Sequence, residues 1–306
     1  MPTKNPKKIL ITGATGLIGT RLTTLLQAEG HEVSHLGRSK SNSGVQSFIW
    51  DINHHQIDPE ALQQVDSIVH LAGAGIADRP WTKARKHEIL ESRTKSTQLL
   101  FETLHKGHHA VKNFIGASAI GYYGFEDPEA AFVESDKPGN DFLAHVTRQW
   151  EAETDKISTL DVRVVKMRTG IVLSENGGVL KEIAKTVKWY VGALLGSGDQ
   201  YISWVHIDDL CRMYIKAIED EAMNGPYNAV TPYPVTNREM TETIADVLER
   251  PIILPPVPEF VLKLLLGEMA NLVLRGSRVS ADRIVASGYQ FQYTDLETAI
   301  RQLLKK

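Results

Sequence analysis

A single cysteine, Cys211, among 306 residues excludes an internal disulfide and suits a reducing compartment, so a cytoplasmic location is expected. Charge of one sign is not in excess. The net charge of −3 offers no electrostatic footing for nucleic acid or for an anionic membrane surface. Long hydrophobic runs are missing too. The greasiest stretch, FVLKLLLGEMANLVL (260–274), is too short to span a bilayer and is broken by Lys263 and Glu268, which predicts a helix buried against the rest of the protein. The opening MPTKNPKK carries charge with no apolar stretch behind it and does not read as a secretory leader. The histidine pairs at 54–55 and 108–109 have no cysteine or carboxylate in ligand spacing, so no metal site is expected. Neither a Walker phosphate loop nor a G-x-S-x-G elbow occurs.

What is present alternates. KKILITG (7–13), HEVSHLGR (31–38), SFIW (47–50), DSIVHLAG (66–73), VKNFIGAS (111–118) and DVRVVKMRTGIVL (161–173) are apolar, β-branched runs of strand type. Helical spacing fills the intervals, as in LIGTRLTTLLQAEG and in the amphipathic stretch 82–105. That rhythm predicts an α/β protein built on a doubly wound parallel (Rossmann) sheet. Beyond residue 174 glycines punctuate short elements, and GPYNAV (225–230) returns one strand to the sheet. From NREMTETIADVLERP onward the chain reads as mostly helical, with Pro251, Pro255, Pro256 and Pro258 in a hinge-like loop. A Rossmann domain is expected over 1–173, joined by 203–232. A smaller, mostly helical C-terminal lobe is expected from 174–202 and 233–306.

TGATGLIG (12–19) sets Gly13, Gly16 and Gly19 between the first strand and the first helix, with Ala14, Thr15, Leu17 and Ile18 between them. The first glycine permits a tight turn, the second lets backbone approach a diphosphate, and the third lets helix pack on strand. The helix start then supplies N–H groups and a positive dipole end. At the end of the second strand, an acidic residue would hold the ribose 2′-hydroxyl of NAD. This chain has Arg38 and Ser39 there, which suits the 2′-phosphate of NADP(H). Asp51 and Ile52, after the third strand, are placed to meet the adenine, and Leu71, Ala72 and Gly73 form a close-approach turn beside the diphosphate or ribose.

Taken together, TGATGLIG, HLAGAGIADRPWT, ASAIGYYG, RTGIVL, YISWVHIDD, GPYNAVTPYPV and GSRVSADRI resemble the epimerase-like family of atypical extended short-chain dehydrogenase/reductases with a small C-terminal domain of unknown function. The resemblance covers nearly the whole chain. It implies an NADP-binding fold and a nucleoside-diphosphate-sugar epimerase label, without a settled substrate. Arg79 and Trp81, in ADRPWT, are placed to close over the cofactor, the arginine toward a phosphate and the tryptophan as a wall of the substrate pocket, with surface packing the equal alternative. By the same resemblance Arg93 stands where an asparagine is usual, among the cofactor-binding residues, and Arg168 ends the sixth strand near the nicotinamide carboxamide. Trp204 and His206, in QYISWVHIDDL, fall in the segment that lines the substrate pocket of extended relatives. Asp208 or Asp209 would alternatively cap the next helix.

Catalytically standard relatives pair a serine with Tyr-x-x-x-Lys; the tyrosine moves a proton while hydride passes to or from nicotinamide. Ser118 resembles that serine. No tyrosine in the chain has a lysine four residues later, and Asp141 and His145 fall at the tyrosine and lysine positions, with Phe142 the alternative for the first. Tyr122, Tyr123, His145 and Asp141 are the candidate proton donors or bases. Packing or a solvated helix face would equally explain the tyrosines and the histidine. Two readings follow. One is an NADP-dependent oxidoreductase or epimerase acting on a small, nucleotide-linked or simple hydroxy/keto substrate. The other is a non-catalytic NADP-binding regulator, of the kind the resemblance connects with cell or organelle division. A homodimer is common in the fold, but the altered helix over 141–157 departs from the usual pairing surface.

Overall fold

The computed structural model describes residues 5–40, 44–125 and 131–305, so the first four residues of the opening segment lie outside it. The strands are β1 Lys8–Thr12, β2 Glu32–Gly37, β3 Gln46–Asp51, β4 Gln56–Ile57, β5 Ser67–His70, β6 Asn113–Ala119, β7 Arg163–Thr169, β8 Ile171–Leu173, β9 Tyr201–Ile202, β10 Trp204–His206, β11 Gly225–Ala229 and β12 Val235–Thr236. The helices are α1 Leu17–Ala28, α2 Lys83–Lys106, α3 Phe142–Lys156, α4 Gly178–Lys188, α5 Ile207–Glu219, α6 Asn237–Leu248, α7 Glu259–Leu266, α8 Asn271–Leu274, α9 Asp282–Ala286 and α10 Leu296–Leu304.

Eight strands make the main sheet, in the order β11-β7-β6-β5-β1-β2-β3-β4. Every pairing in it is parallel except β3 with the two-residue β4. The order reverses between β1 and β5, and ligands of doubly wound sheets sit at the carboxyl ends of strands at such a switch point. Alternation along β1 divides the core. Ile9 and Ile11 join α1 and α5 in one cluster, while Leu10 faces α2 in the other.

The first of these clusters continues without a break from the sheet through α5 into α4, α6, α9 and α10. The C-terminal helices are therefore built onto that face of the sheet. Only Leu262, Ala270 and Leu274 form a small cluster of their own.

The expected strand over 161–173 is two strands. At Gly170 a Cβ would lie 2.4 Å from the Ser203 carbonyl oxygen and 2.7 Å from Val230, so the chain bends through a crowded point and β8 leaves the sheet to pair with β10. The stretch 260–274 is also corrected. It is α7, a 3₁₀ turn and α8; of the α7 residues only Leu262 is buried, while Phe260, Leu264 and Leu265 are 71%, 82% and 73% exposed.

Candidate cofactor and active site

The turn after β1 is shaped by what a side chain would collide with. Gly13 has φ +67°, and a Cβ there would lie 2.8 Å from the Leu71 carbonyl carbon and 2.9 Å from the Ala72 nitrogen. At Gly19 it would lie 2.5 Å from the Gly13 oxygen and 2.6 Å from the Ala14 Cα. These two glycines let the turn, α1 and the loop after β5 press together. Gly16 is the N-cap of α1, makes no side-chain cap, and no acidic residue follows in the first turn. The helix start at Leu17 and Ile18 thus keeps its N–H groups and dipole for an anion. Thr15 and Gly16 are exposed, and with Leu17 they edge a cleft of about 510 Å³ closed by residues 174–177 and the start of α5.

Fully buried, His70 holds the loop after β5. Thr12 Oγ1 accepts the Leu71 and Ala72 N–H groups at 3.1 and 3.2 Å, so its proton goes to His70 Nδ1 at 2.7 Å. Nε2 then carries the ring hydrogen, with the Ser96 and Thr97 hydroxyls each at 3.1 Å. Burial, with the Arg93 charge nearby, lowers the His70 pKa to about 3, so the ring stays neutral and the Leu71–Gly73 turn stays fixed.

Arg38 and Ser39 lie exposed at the end of β2. Arg79 comes within 3.3 Å of Glu88 and Arg85 within 2.8 Å. Glu88 is held below the usual carboxylate range by Arg85 first, with smaller contributions from the charges of Arg79 and, from the end of β2, Arg38. That excess of positive charge fits a phosphate at the β2 end. Trp81 donates to the Ile76 carbonyl at 2.7 Å and meets Phe142 edge-on at 5.0 Å. Asp51 is spent on its own turn, accepting the Asn53 and His54 N–H groups and the His54 ring at 2.8 Å, and Ile52 packs into the core.

The residues expected at the nicotinamide end are mostly committed to a buried network. Ser118 donates to Glu151 at 2.6 Å. Arg168 grips the same carboxylate at 2.8 and 2.9 Å and donates to the Tyr123 hydroxyl at 3.0 Å, which in turn donates to Asn228 at 2.6 Å. Burial alone would raise the Glu151 pKa, but Arg168, Lys166 and Ser118 hold it below the usual carboxylate range. Burial pushes Tyr123 up to about 12 against the pull of Arg168. Arg168 therefore meets Glu151 and the tyrosines rather than a free carboxamide position. Tyr122 is half-buried, its ring 3.5 Å from the Arg168 guanidinium.

On α3, Asp141 is the N-cap and accepts the Ala144 N–H at 2.9 Å. His145 is exposed, whereas Leu143, Thr147, Trp150, Glu151 and Thr154 make the buried face. Trp204 is fully buried and donates to the Tyr233 carbonyl, so it presents no surface to a ligand. His206, 1% exposed, caps α5 through Nδ1 and meets Gln302 through Nε2 at 3.0 Å. It, and neither aspartate, is the cap. Asp208 pairs with Arg21, and Asp209 accepts from Tyr289, Gln292 and Tyr293.

Sequence reasoning missed Glu151, Asn228 and His70. The available signal for Glu151 was a carboxylate on the same helical face as Leu143 and Thr147. Among the described residues, Glu29, His31 and Glu219 bring ligand-type atoms within 4.8 Å of one another. His31 Nδ1 accepts the Lys7 N–H, so Nε2 carries the proton and is no metal ligand while that bond stands.

The chain matches the model of the NAD dependent epimerase/dehydratase family over residues 9–230 and that of a domain of unknown function, DUF1731, over 257–303. It is 35% identical to the epimerase family protein YfhF of Bacillus subtilis, with 97% of each chain covered. Among solved structures it resembles the human epimerase family protein SDR39U1 (isoform 2) with NADPH, at 30% identity and TM-score 0.87, covering 98% of this chain and 99% of that one. It also resembles the nucleoside-diphosphate sugar epimerase of Corynebacterium glutamicum, at 33% identity and TM-score 0.80, covering 98% of this chain but only 58% of that longer one.

Proposed function

Because the chain belongs to the NAD-dependent epimerase/dehydratase family, we propose that it is an NADP(H)-dependent oxidoreductase or epimerase acting on a small hydroxy or keto substrate, with nucleotide-linked sugars the first class to try. The observation that carries this is the glycine turn before α1, where no Cβ fits at Gly13 or Gly19, together with the exposed Arg38 and Ser39 at the end of β2. The solved relative at 30% identity holds NADPH, which supports the same choice.

The residues fit the cofactor. Gly13 and Gly19 leave spaces that any Cβ would fill, and α1 starts without a side-chain cap. The α1 N–H groups would hold the diphosphate, Arg38, Ser39 and Arg79 the 2′-phosphate, and the Leu71–Gly73 turn a ribose. When bound, the nicotinamide supplies hydride exchange with the substrate carbon. The paired proton falls to Tyr122. Ser118, Tyr123 and Asp141 spend their polar atoms on Glu151, on Asn228 and Arg168, and on the Ala144 N–H. His145 lies on the outward face of α3. Arg168, against the ring, orients Tyr122. Trp81 and Phe142 would form the pocket wall.

The test is a panel of reactions: NADPH oxidation with carbonyl compounds, NADP reduction with hydroxy compounds, and epimer formation, which leaves the cofactor unchanged overall, from nucleotide sugars. Tyr122→Phe should lower turnover by about 10²–10⁴-fold while NADPH affinity holds. Unchanged turnover in that variant removes Tyr122 from the mechanism. The exposed face of α7 and the missing Tyr-x-x-x-Lys are what a non-catalytic regulator would use; family membership weighs against it, and tight NADPH binding with no turnover across the panel would favour it.

A further inference from the structure

Arg93 lies on α2 with its guanidinium against the Leu71–Gly73 turn. A Cβ on Gly73 would lie 3.1 Å from Arg93 Cζ, and Gly13 backs directly onto Leu71 and Ala72. The guanidinium therefore stands beside the point where the two backbone turns meet. Its described partners are two carbonyl oxygens, of Ala74 and Ile89, each at 3.0 Å, and the ring of Trp150 at 5.2 Å. No described carboxylate pairs with it, and the charge that acts on it is another cation, Arg85. Arg85 itself is neutralised by Glu88 and Asp78.

Arg93 is half-buried, and a guanidinium even partly withdrawn from water without a counter-charge is costly, so such groups are paired or meet a ligand. Burial, with Arg85 beside it, lowers its pKa to about 10, so it remains charged at neutral pH and the cost stands. Across the same junction, α1 opens with free N–H groups and no acidic residue. Two positive ends thus stand on either side of the Gly13–Leu71 contact, and no described carboxylate pairs with Arg93 or caps the start of α1.

We infer that Arg93 is the counter-ion of the cofactor's diphosphate, closing from α2 the anion site that α1 opens. This rests on the NADP(H) reading above and adds to it a division of labour: Arg38, Ser39 and Arg79 recognise the 2′-phosphate, and Arg93 recognises the diphosphate. A bidentate fork suits two phosphate oxygens in a way that a lysine's single point charge does not.

The test is calorimetric binding of NADPH and of adenosine 2′-monophosphate, which has the 2′-phosphate and no diphosphate, to the wild-type protein and to Arg93→Met and Arg93→Lys. Arg93→Met should weaken NADPH by about 10- to 100-fold, the worth of charged hydrogen bonds, and leave adenosine 2′-monophosphate unchanged. Arg93→Lys should recover part of the NADPH affinity. Without ligand, the melting temperature of Arg93→Met should stay level or rise, because an uncompensated charge has been removed. A lower melting temperature with equal loss for both ligands would make Arg93 a clamp on the Ala74 and Ile89 carbonyls and overturn the inference. Wild-type binding of NADPH with no effect of Arg93→Met would overturn it alone, whereas no wild-type binding of NADPH would bring down the cofactor reading and this inference together.

Discussion

Arg168 meets Glu151 through two hydrogen bonds of 2.8 and 2.9 Å, joining the last residues of β7 to the middle of α3 in the protein interior. Ser118 and Tyr123 complete their bonding on this pair, and Asn228 then ties it to the Ser280 carbonyl of the C-terminal segment at 3.1 Å. Replacing Glu151 or Arg168 alone by alanine should cost about 3–5 kcal/mol, since each leaves a buried charge unpaired. The double variant Glu151→Leu/Arg168→Met should regain at least half of that loss. Urea unfolding at pH 7 measures it, and single-variant losses below about 1 kcal/mol would show that the pair is not dry.

The neighbouring tyrosines should separate cleanly. Tyr123→Phe removes the hydroxyl that joins Arg168 to Asn228 and should cost about 1–3 kcal/mol by urea unfolding. Tyr122→Phe, at a half-buried position, should stay within about 0.5 kcal/mol of wild type. The reverse order would exchange the structural and chemical roles assigned to them.

His70 makes stability depend on acid. Its folded pKa of about 3 lies below the ordinary 6.5, so the unfolded chain takes up the proton first as pH falls. This contribution is whole above pH 6.5 and is lost between there and about 3, at up to about 1.4 kcal/mol per pH unit. Unfolding free energies of wild type and His70→Phe, taken from pH 7 to pH 4, should converge as pH falls. Parallel curves would mean that His70 is solvated.

The cradle was legible because close backbone approach leaves glycine as the residue that fits, and Gly13 and Gly19 stand where any Cβ collides with Leu71 or Ala14. The doubly wound parallel sheet followed from the alternation of strand-type and helical segments. The catalytic end was not legible. Ser118 and Arg168 read as site residues at strand ends, yet their partner Glu151 lies 33 and 17 residues away in the chain, and a pairing across α3 leaves no local pattern. The exposed face of α7 was hidden because a Leu-rich octet looks the same whether or not the fold covers it. His206 displaced the expected aspartate cap through its ring nitrogen, which residue type alone does not announce.

Gly13→Ala should disable the cradle from within. A φ of +67° and contacts below 3 Å to Leu71 and Ala72 make the substitution cost about 1–3 kcal/mol in backbone strain and displacement. Thermal melting should show a lower transition and a smaller upward shift with saturating NADPH than wild type gives. An unchanged shift would mean that the turn yields without moving the site.

The central claim is that this fold is a cradle for the phosphorylated dinucleotide, and calorimetric titration with NADPH, NADP, NADH and NAD, on wild type and Arg38→Ala, tests it most directly. The account predicts that wild type prefers the phosphorylated pair and that the variant loses about 10- to 100-fold of that preference with its NADH affinity intact. Equal affinity for all four, or none for any, would contradict it.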